Sequence, residues 1–517
     1  MRELEELLVL FVAAVVLSAA ARRTGAPYPV FLAIGGAALA FVPGAPSLAV
    51  PPELALALFV APVLLDAAYD ASLRDLRENW AAVAGLVVFA VALTTACVAI
   101  VLHVLVPAMP WAAAITLGAL VAPPDAVAAS AVLSQVRAPH RIVTVLEGES
   151  LLNDASALLV YRLAVGAVAA GDFSITAVAP TFLLSVGGSV LAGPLLGWLT
   201  LRMFERIEHI PTAIILQFVS TFGVWILAEH AGLSGVLTTV CFAMSLAQWA
   251  PRRIKSHVRL PTNAVWQTAV FALNVLAFIF VGLQIQPILA SLHVGDRQQY
   301  LLVAAAVLLT VIGVRFAWHM SFNAVVRWWH RRHGFHPPRP MLRPSVGSGL
   351  VISWAGMRGI VTLAAALALP SEFPYRGLIV LTAFLVVLGT LVVQGLTLKP
   401  LLKWLNLQDD DPVEGEVKGA RRQALDAVLT ALEGDVSPDA ERVRRTFRLK
   451  LGDAVSVPAA GGELRAAYRA AHERAVHAAR QAVLAMRDSH EIGDDAFHQL
   501  ELELDWLEVA GSLRDGR

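Results

Sequence analysis

The sequence predicts an all-α polytopic membrane protein that carries a soluble helical tail. Hydrophobic residues make up 57% of the 517 residues and charged residues only 15%, whereas soluble domains average about 25% charged residues. Apolar stretches of the length that spans a bilayer, about 20 residues, recur along most of the chain. Arginines cluster in alternate connections between these stretches, as the positive-inside rule expects of correctly placed spans.

Thirteen membrane spans follow from these stretches. They cover residues 5–21, 28–44, 50–69, 80–106, 111–135, 141–169, 174–203, 210–229, 233–249, 264–290, 299–325, 347–369 and 376–404. Beyond them the chain is rich in charge and alanine, and Glu463 to Asp488 is amphipathic. We therefore expect a transmembrane domain at 1–408 and a soluble helical tail at 409–517.

The charges of the loops test the number of spans and set their orientation. Seventeen Lys and Arg residues fall in loops on one predicted side and three on the other. The basic side holds Arg22, Arg23, Arg74, Arg77, Arg137, Arg141, Arg202, Arg206, Arg252, Arg253, Lys255, Arg259, Arg327, Arg331, Arg332, Arg339 and Arg343. The other side holds Arg2, Arg297 and Arg376. This bias predicts a multi-pass protein of the plasma membrane, with its N-terminus outside and its tail in the cytoplasm.

The fifth predicted span is interrupted at Pro123, Pro124 and Asp125. Two prolines remove backbone donors and break the helical hydrogen-bond ladder, and free backbone at membrane depth must be buried in protein or line a cavity. An ionisable residue at that depth is a functional candidate. Asp125 is therefore a candidate site residue. The alternative is a kinked packing helix whose carboxylate is protonated or paired.

The sixth predicted span carries three carboxylates within Glu147–Asp154. Ser150 and Asp154 share one helix face, and Glu149 and Asn153 share the adjacent face. A helix with this composition is not expected to face lipid. The alternative is that the segment is a loop and that the span begins after Asp154.

Three further ionisable residues fall inside predicted spans. Asp66 lies in the third span, where it belongs either to the site or to the membrane boundary. Arg315 in the eleventh span needs a buried carboxylate partner, and Glu149 is the expected one. Arg358 in the twelfth span lies between glycines, which predicts a second interrupted helix.

The two interrupted spans, the fifth and the twelfth, are predicted to cross the membrane in opposite directions. Broken helices at corresponding positions of inverted repeats mark a midplane ion site in secondary transporters. Asp125 would offset the positive N-terminal ends of the half-helices there, and Arg358 the negative C-terminal ends.

Several other classes of protein are not supported. The formal net charge is +0, so no nucleic-acid partner is expected. No Gly-Lys pair occurs, so the chain has no nucleotide-binding P-loop and transport is expected to be secondary. Cys97 and Cys241 lie in apolar stretches, and the histidines lie mostly in loops or the tail, so neither a disulfide framework nor a cofactor is expected. A hydrolase that uses Asp125 and Asp154 as its catalytic pair would need sequence motifs that this chain lacks, so we do not expect an enzyme.

Two strings of residues match the pattern of a known family. Leu146–Ala155 carries an Asn-Asp pair, and Ser353–Gly359 carries an arginine between glycines. These strings resemble the sixth and twelfth helices of the NhaP/NHE branch of cation–proton antiporters. Supporting matches are Leu233–Leu237, Phe280–Gln284 and Val393–Thr397. The resemblance covers about residues 5–405 and implies thirteen spans in inverted repeats with two crossing broken helices.

The resemblance implies roles for individual residues. Asp154 would be the carrier carboxylate that binds either sodium or potassium or a proton. Further cation-ligand positions match Asp125, Asn153, Ser150 and the backbone around Pro124. The remaining matches are a buried ion pair of Glu149 with Arg315 and the crossing-helix arginine Arg358. The family often has Thr-Asp-Pro around Asp125 and Glu in place of Asp66, so coordination at these two positions is left open.

We therefore expect an antiporter that exchanges sodium, potassium or lithium ions for protons. Because residue 153 is Asn and not Asp, one carboxylate of the pair titrates, and the resemblance implies electroneutral one-for-one exchange. It also implies a homodimer embedded in membrane lipid, in which a core bundle moves against a scaffold. Potassium in place of sodium is an open alternative, and a cation channel with a regulatory tail is the main rival of another class.

Overall fold

The structure is a computed structural model whose regular elements, among the described residues, are all helical. It describes residues 2–24, 26–43, 51–72, 74, 83, 85–133, 138–170, 175–292, 295–334, 345–407, 412–451 and 462–512. Four loop arginines used to predict the orientation lie outside these ranges: Arg77, Arg137, Arg339 and Arg343.

The first seven predicted spans correspond to the elements from α1 to α8. Their bounds are α1 (Arg2–Thr24), α2 (Tyr28–Leu39), α3 (Pro52–Asp70), a π-helical turn (Gly85–Ala90) leading into α4 (Val91–Leu105), α5 (Trp111–Val121), α6 (Ala126–Leu133), α7 (His140–Ala170) and α8 (Ile175–Phe204). The fifth span is therefore two half-helices, α5 and α6, as the Pro-Pro pair predicts.

The remaining six predicted spans correspond to the elements from α9 to α16. Their bounds are α9 (Ile210–His230), α10 (Gly235–Arg253), α11 (Ser256–Leu283), α12 (Ile285–Ala290), α13 (Arg297–His333), α14 (Val346–Trp354), α15 (Ile360–Leu367) and α16 (Arg376–Leu405). The twelfth span is again a pair of half-helices, α14 and α15. The fold class predicted from the sequence, an all-helical multi-span membrane protein, is confirmed.

Length and composition identify membrane-crossing helices directly. Within the described ranges, six helical stretches are long and apolar enough to cross a bilayer: His140–Val168, Leu183–Phe204, Ile210–His230, Ser256–Ala290, Arg297–His333 and Arg376–Leu405. Shorter apolar helices are found at α2, α4 and α5. Short elements are expected where a span is broken, because each half-helix covers only part of the bilayer.

Two boundaries differ from the prediction by eight residues, the end of α13 at His333 where 325 is predicted and the start of α11. Helix α11 begins at Ser256, eight residues before the predicted start at 264, and its first two turns include Arg259 and Pro261. Hydropathy places these polar residues in a loop. In the structure Arg259 is only 3% exposed, because acidic residues of the tail cover it.

The tail forms four helices with a hydrophobic core of their own. Their bounds are α17 (Pro412–Ala431), α18 (Pro438–Leu451), α19 (Gly462–Asp488) and α20 (Asp494–Ser512). Apolar residues such as Val428, Phe447 and Leu500 form this core, which is separate from the large core of the membrane helices. The amphipathic segment predicted at Glu463–Asp488 is helix α19.

Candidate functional site

The two broken helices meet at their interruptions. Helix α5 ends at Val121 and α6 begins at Ala126, while α14 ends at Trp354 and α15 begins at Ile360. The backbone N–H of Asp125 donates to the carbonyl oxygen of Met357 over 2.7 Å. The two unwound segments thus supply hydrogen-bond partners to each other's free backbone groups, which non-helical backbone buried at membrane depth requires.

The carboxylate of Asp125 lies at the N-terminal ends of two half-helices. Its Oδ1 accepts a hydrogen bond of 2.8 Å from the N–H of Val127, in the first turn of α6. A Cβ atom added to Gly359, directly before α15, would overlap the same carboxylate. Asp125 therefore places negative charge where both helix dipoles are positive.

Arg358 lies at the opposite, C-terminal ends of the half-helices. Its Nε donates to the carbonyl oxygen of Val121, the last residue of α5, over 2.7 Å, and its Nη1 donates to the carbonyl oxygen of Gly356, just beyond α14. The side chain is 1% exposed, and its backbone N–H donates to Thr390 Oγ1 of α16 over 3.0 Å. A buried cation thus neutralises carbonyl groups that the interruptions leave without helical partners.

All of Glu147–Asp154 lies within helix α7, so the alternative of a loop is wrong. Glu149 is fully buried and forms a bidentate pair with Arg315 of α13, with Nη1–Oε1 at 2.5 Å and Nη2–Oε2 at 2.8 Å. Asn153 Nδ2 donates to Glu149 Oε1 over 3.2 Å. The Arg315 side chain occupies the space that a Cβ on Gly356 would take.

A cavity joins the crossing point to α7. Asp125 and Asp154 both line it, together with Ser150, whose Oγ donates to the carbonyl oxygen of Pro124 over 3.3 Å. Two further helices close its other side, α3 through Val60 and Leu64 and α11 through Phe278, among others. Carboxylate, hydroxyl and carbonyl oxygens are the ligands that hard cations prefer.

Asp66 does not line this cavity. Val63, Leu64 and Ala67 of α3 line it, whereas Asp66 lines a second cavity between α3, α9 and α11. Its Oδ1 accepts a hydrogen bond of 3.1 Å from Trp266 Nε1. The structure thus brings Asp125, Asp154, Ser150 and Pro124 together, and α3 separates Asp66 from them.

Glu147 of α7 and two further polar residues line the cavity, although the sequence does not predict them as site residues. Asn274 of α11 and Thr362 of α15 both line it. An amide in the middle of an otherwise apolar span is a detectable signal, since polar groups inside a membrane usually face a cavity or a partner. Among the described residues, no group of three or more His, Cys, Asp or Glu could hold a metal ion.

Comparison with known proteins places this architecture in a family. The model of the family "Sodium/hydrogen exchanger, transmembrane" matches residues 7–404. The Low-affinity Na(+)/H(+) antiporter NhaS1 of Synechocystis is 32% identical over 83% of this chain and 80% of its own. A relative from Mycobacterium tuberculosis, "Uncharacterized Na(+)/H(+) exchanger Rv2287", is 31% identical over 93% of this chain and 91% of its own. The Sodium, potassium, lithium and rubidium/H(+) antiporter of Bacillus pumilus is 29% identical over 82% of this chain and 65% of its own.

A solved structure shares the fold. The sodium proton antiporter MjNhaP1 of Methanocaldococcus jannaschii aligns with a TM-score of 0.56 at 17% identity, over 79% of this chain and 100% of that one. The family is one of transporters and not of enzymes. The family match covers the membrane helices from α1 to α16, including both broken helices and the cavity between them. The chain therefore belongs to the transmembrane sodium/hydrogen exchanger family, in its NhaP branch, and is a monovalent cation/proton antiporter.

Proposed function

We propose that the cavity at the helix crossing is the exchange site and that Asp154 is its carrier carboxylate. Three carboxylates line the cavity, and among them Asp154 alone is both buried and without a hydrogen bond or ion pair to a described residue. Asp125 is engaged by the N-terminal turn of α6, whereas Asp154, 7% exposed, makes no hydrogen bond or ion pair among the described residues. A buried carboxylate without a partner is costly unless a cation or a proton neutralises it.

Competition at one carboxylate couples the two ions. Asp154 holds a monovalent cation, with Asp125, Ser150 and the carbonyl of Pro124 as further oxygen ligands, or it holds a proton. The site crosses the barrier in either neutralised form and not when empty and ionised, because burying a bare charge costs several kcal/mol. One cation then moves against one proton, and the exchange is electroneutral.

The cation is sodium, with lithium and potassium as further substrates. The printed names of relatives include sodium for NhaS1 and sodium, potassium, lithium and rubidium for the Bacillus protein. The carboxylate and hydroxyl oxygens that line the cavity suit these ions. We also propose that the protein is a homodimer of the plasma membrane, with residues 1–408 embedded in lipid, the N-terminus outside and the tail 409–517 in the cytoplasm.

The test is dissipation of an imposed pH gradient by purified protein in lipid vesicles, with sodium, lithium and potassium chloride added in turn. Exchange predicts proton movement that begins on addition of cation and does not respond to a membrane potential set with valinomycin. A cation channel would instead pass current without moving protons, and that result would overturn the proposal. The order of the three responses ranks the cations.

A further inference from the structure

Glu147 faces the same cavity as the proposed carrier carboxylate. It precedes Asp154 by seven residues on α7, which is nearly two full turns, so the two side chains lie on one helix face about 10 Å apart along the axis. Both line the cavity, with Ser150 and Leu151 between them. This face of α7 thus carries one acidic residue at the carrier position and another nearer the end of the helix that faces the tail.

The surroundings of Glu147 differ from those of its neighbour Glu149. Glu149 is fully buried and held by Arg315 through two hydrogen bonds. Glu147 is half-buried, and no hydrogen bond or ion pair joins it to another described residue. Partial burial without a partner is unfavourable for a carboxylate, so Glu147 does not contribute stability as a structural ion pair would.

The tail-facing end of the cavity carries other charged groups. Glu147 interacts electrostatically with Asp70 at the end of α3, with Asp495 at the start of α20 and with His140 at the start of α7. His140 Nδ1 lies 3.5 Å from Asp495. Among these four groups the three carboxylates outnumber the single base, His140, which itself lies beside Asp495, and this arrangement favours a cation.

We propose that Glu147 is an entry carboxylate, a positioning residue that holds an arriving monovalent cation on the tail-facing side before it reaches Asp154. This inference rests on the proposed exchange at Asp154. A cation that enters the cavity must exchange its water for protein oxygens. A carboxylate two turns before the carrier offers the first such oxygens and raises the local concentration of cations. Glu147 then sets the apparent affinity for the cation and leaves the maximal exchange rate to Asp154.

The test compares Glu147→Gln with wild type in sodium-driven exchange across proteoliposome membranes. We expect the apparent KM for sodium to rise about tenfold, as removal of one charge about 10 Å away in a partly aqueous site implies, with kcat within about twofold. Glu147→Asp keeps the charge and should restore most of the affinity. Glu208→Gln removes an exposed carboxylate that does not line the cavity and should leave KM unchanged.

Other results for these variants would contradict either the entry role of Glu147 or the exchange function itself. A wild-type KM in Glu147→Gln, a loss of kcat at unchanged KM, or a failure of Glu147→Asp to restore affinity would overturn the entry role. A Glu147→Gln protein that does not assemble would show that the carboxylate has a structural partner, which also overturns it. Absence of sodium-driven exchange in the wild type would instead refute the proposed function itself.

Discussion

Glu149 and Arg315 show how a membrane protein holds two charges inside its core. Both side chains are almost completely buried, and the guanidinium meets the carboxylate in a bidentate arrangement. Each charge alone would be strongly unfavourable there, so the pair is stable only while both members are present. Asn153, the residue directly before Asp154, donates to the same carboxylate, so the ion pair is hydrogen-bonded to the neighbour of the proposed carrier.

At this scale we predict that Glu149→Ala destabilises the protein by about 3–5 kcal/mol, because Arg315 is left as a buried, unpaired charge. The measurement is the melting temperature of purified protein in detergent or nanodiscs. Glu147→Ala, two residues away and without a structural ion pair, is the matched control and should melt near the wild type. Equal melting of wild type and Glu149→Ala would contradict the structural role of the pair.

The crossing of the broken helices depends on glycines for space and not for unusual backbone angles. Gly359 has φ −129° and ψ −161°, an extended conformation that any residue adopts. A side chain at position 359 is excluded because its Cβ would overlap the Asp125 carboxylate. Gly356 is required for space in the same way, because the Arg315 side chain lies where its Cβ would be. The two glycines therefore let two charged groups approach the interrupted backbone.

We predict that Gly359→Ala displaces Asp125 and lowers sodium-driven exchange at least about tenfold, as small displacements of a site residue typically do. The assay is proteoliposome exchange at equal protein incorporation. Gly313→Ala in α13 makes the same substitution where a Cβ meets open space, and it should retain wild-type exchange. Full exchange in Gly359→Ala would refute the close packing at the crossing.

Most of the elements could be predicted from the sequence, because membrane spans are encoded locally. A run of apolar residues and a Pro-Pro pair specify α5 and α6 without any distant partner. The start of α11 could not be predicted in this way, since the carboxylates that pair with the buried Arg259 lie more than 240 positions later in the chain. The separation of Asp66 from Asp125 depends likewise on which face of α3 packs inward, and hydropathy does not report this.

At the scale of the whole molecule, the tail is docked onto the membrane helices by buried charges. Arg259 of α11 donates from Nε to Asp505 Oδ2 over 2.9 Å and lies 3.3 Å from Glu501. Arg487 donates to the carbonyl oxygen of Ala247 over 3.0 Å. These contacts join α19 and α20 to the ends of α10 and α11. They lie beside the cavity that holds Asp66, which Arg259 also lines.

One histidine of α20 makes the stability of this folded arrangement depend on pH. His498 stacks on Tyr69 of α3 and lies 3.5 Å from Glu501. Burial and the nearby Arg487 oppose its protonation, but the hydrogen bond and charge of Glu501, with the charge of Asp70, raise the pKa of His498 above its usual value. A raised pKa in the folded state stabilises that state below the ordinary histidine pKa of about 6.5, and this stabilisation is lost as the pH rises through the raised value.

We therefore predict that helix α20 is more stable against local opening at pH 6 than at pH 8.5. Hydrogen–deuterium exchange of the α20 amides should rise with pH beyond the intrinsic change in chemical rate. His498→Gln should remove this dependence, whereas His477→Gln, an exposed histidine of α19, should keep it. A wild-type pH profile in His498→Gln would contradict the assignment.

The measurement that tests the central claim most directly is sodium-driven dissipation of a pH gradient by Asp154→Asn in proteoliposomes. Asparagine keeps the size of the side chain and removes its ability to exchange a proton for a cation. We predict that exchange is abolished at every sodium concentration while the melting temperature stays at or above that of the wild type. Exchange at the wild-type rate in a folded Asp154→Asn protein would show that the carrier lies elsewhere.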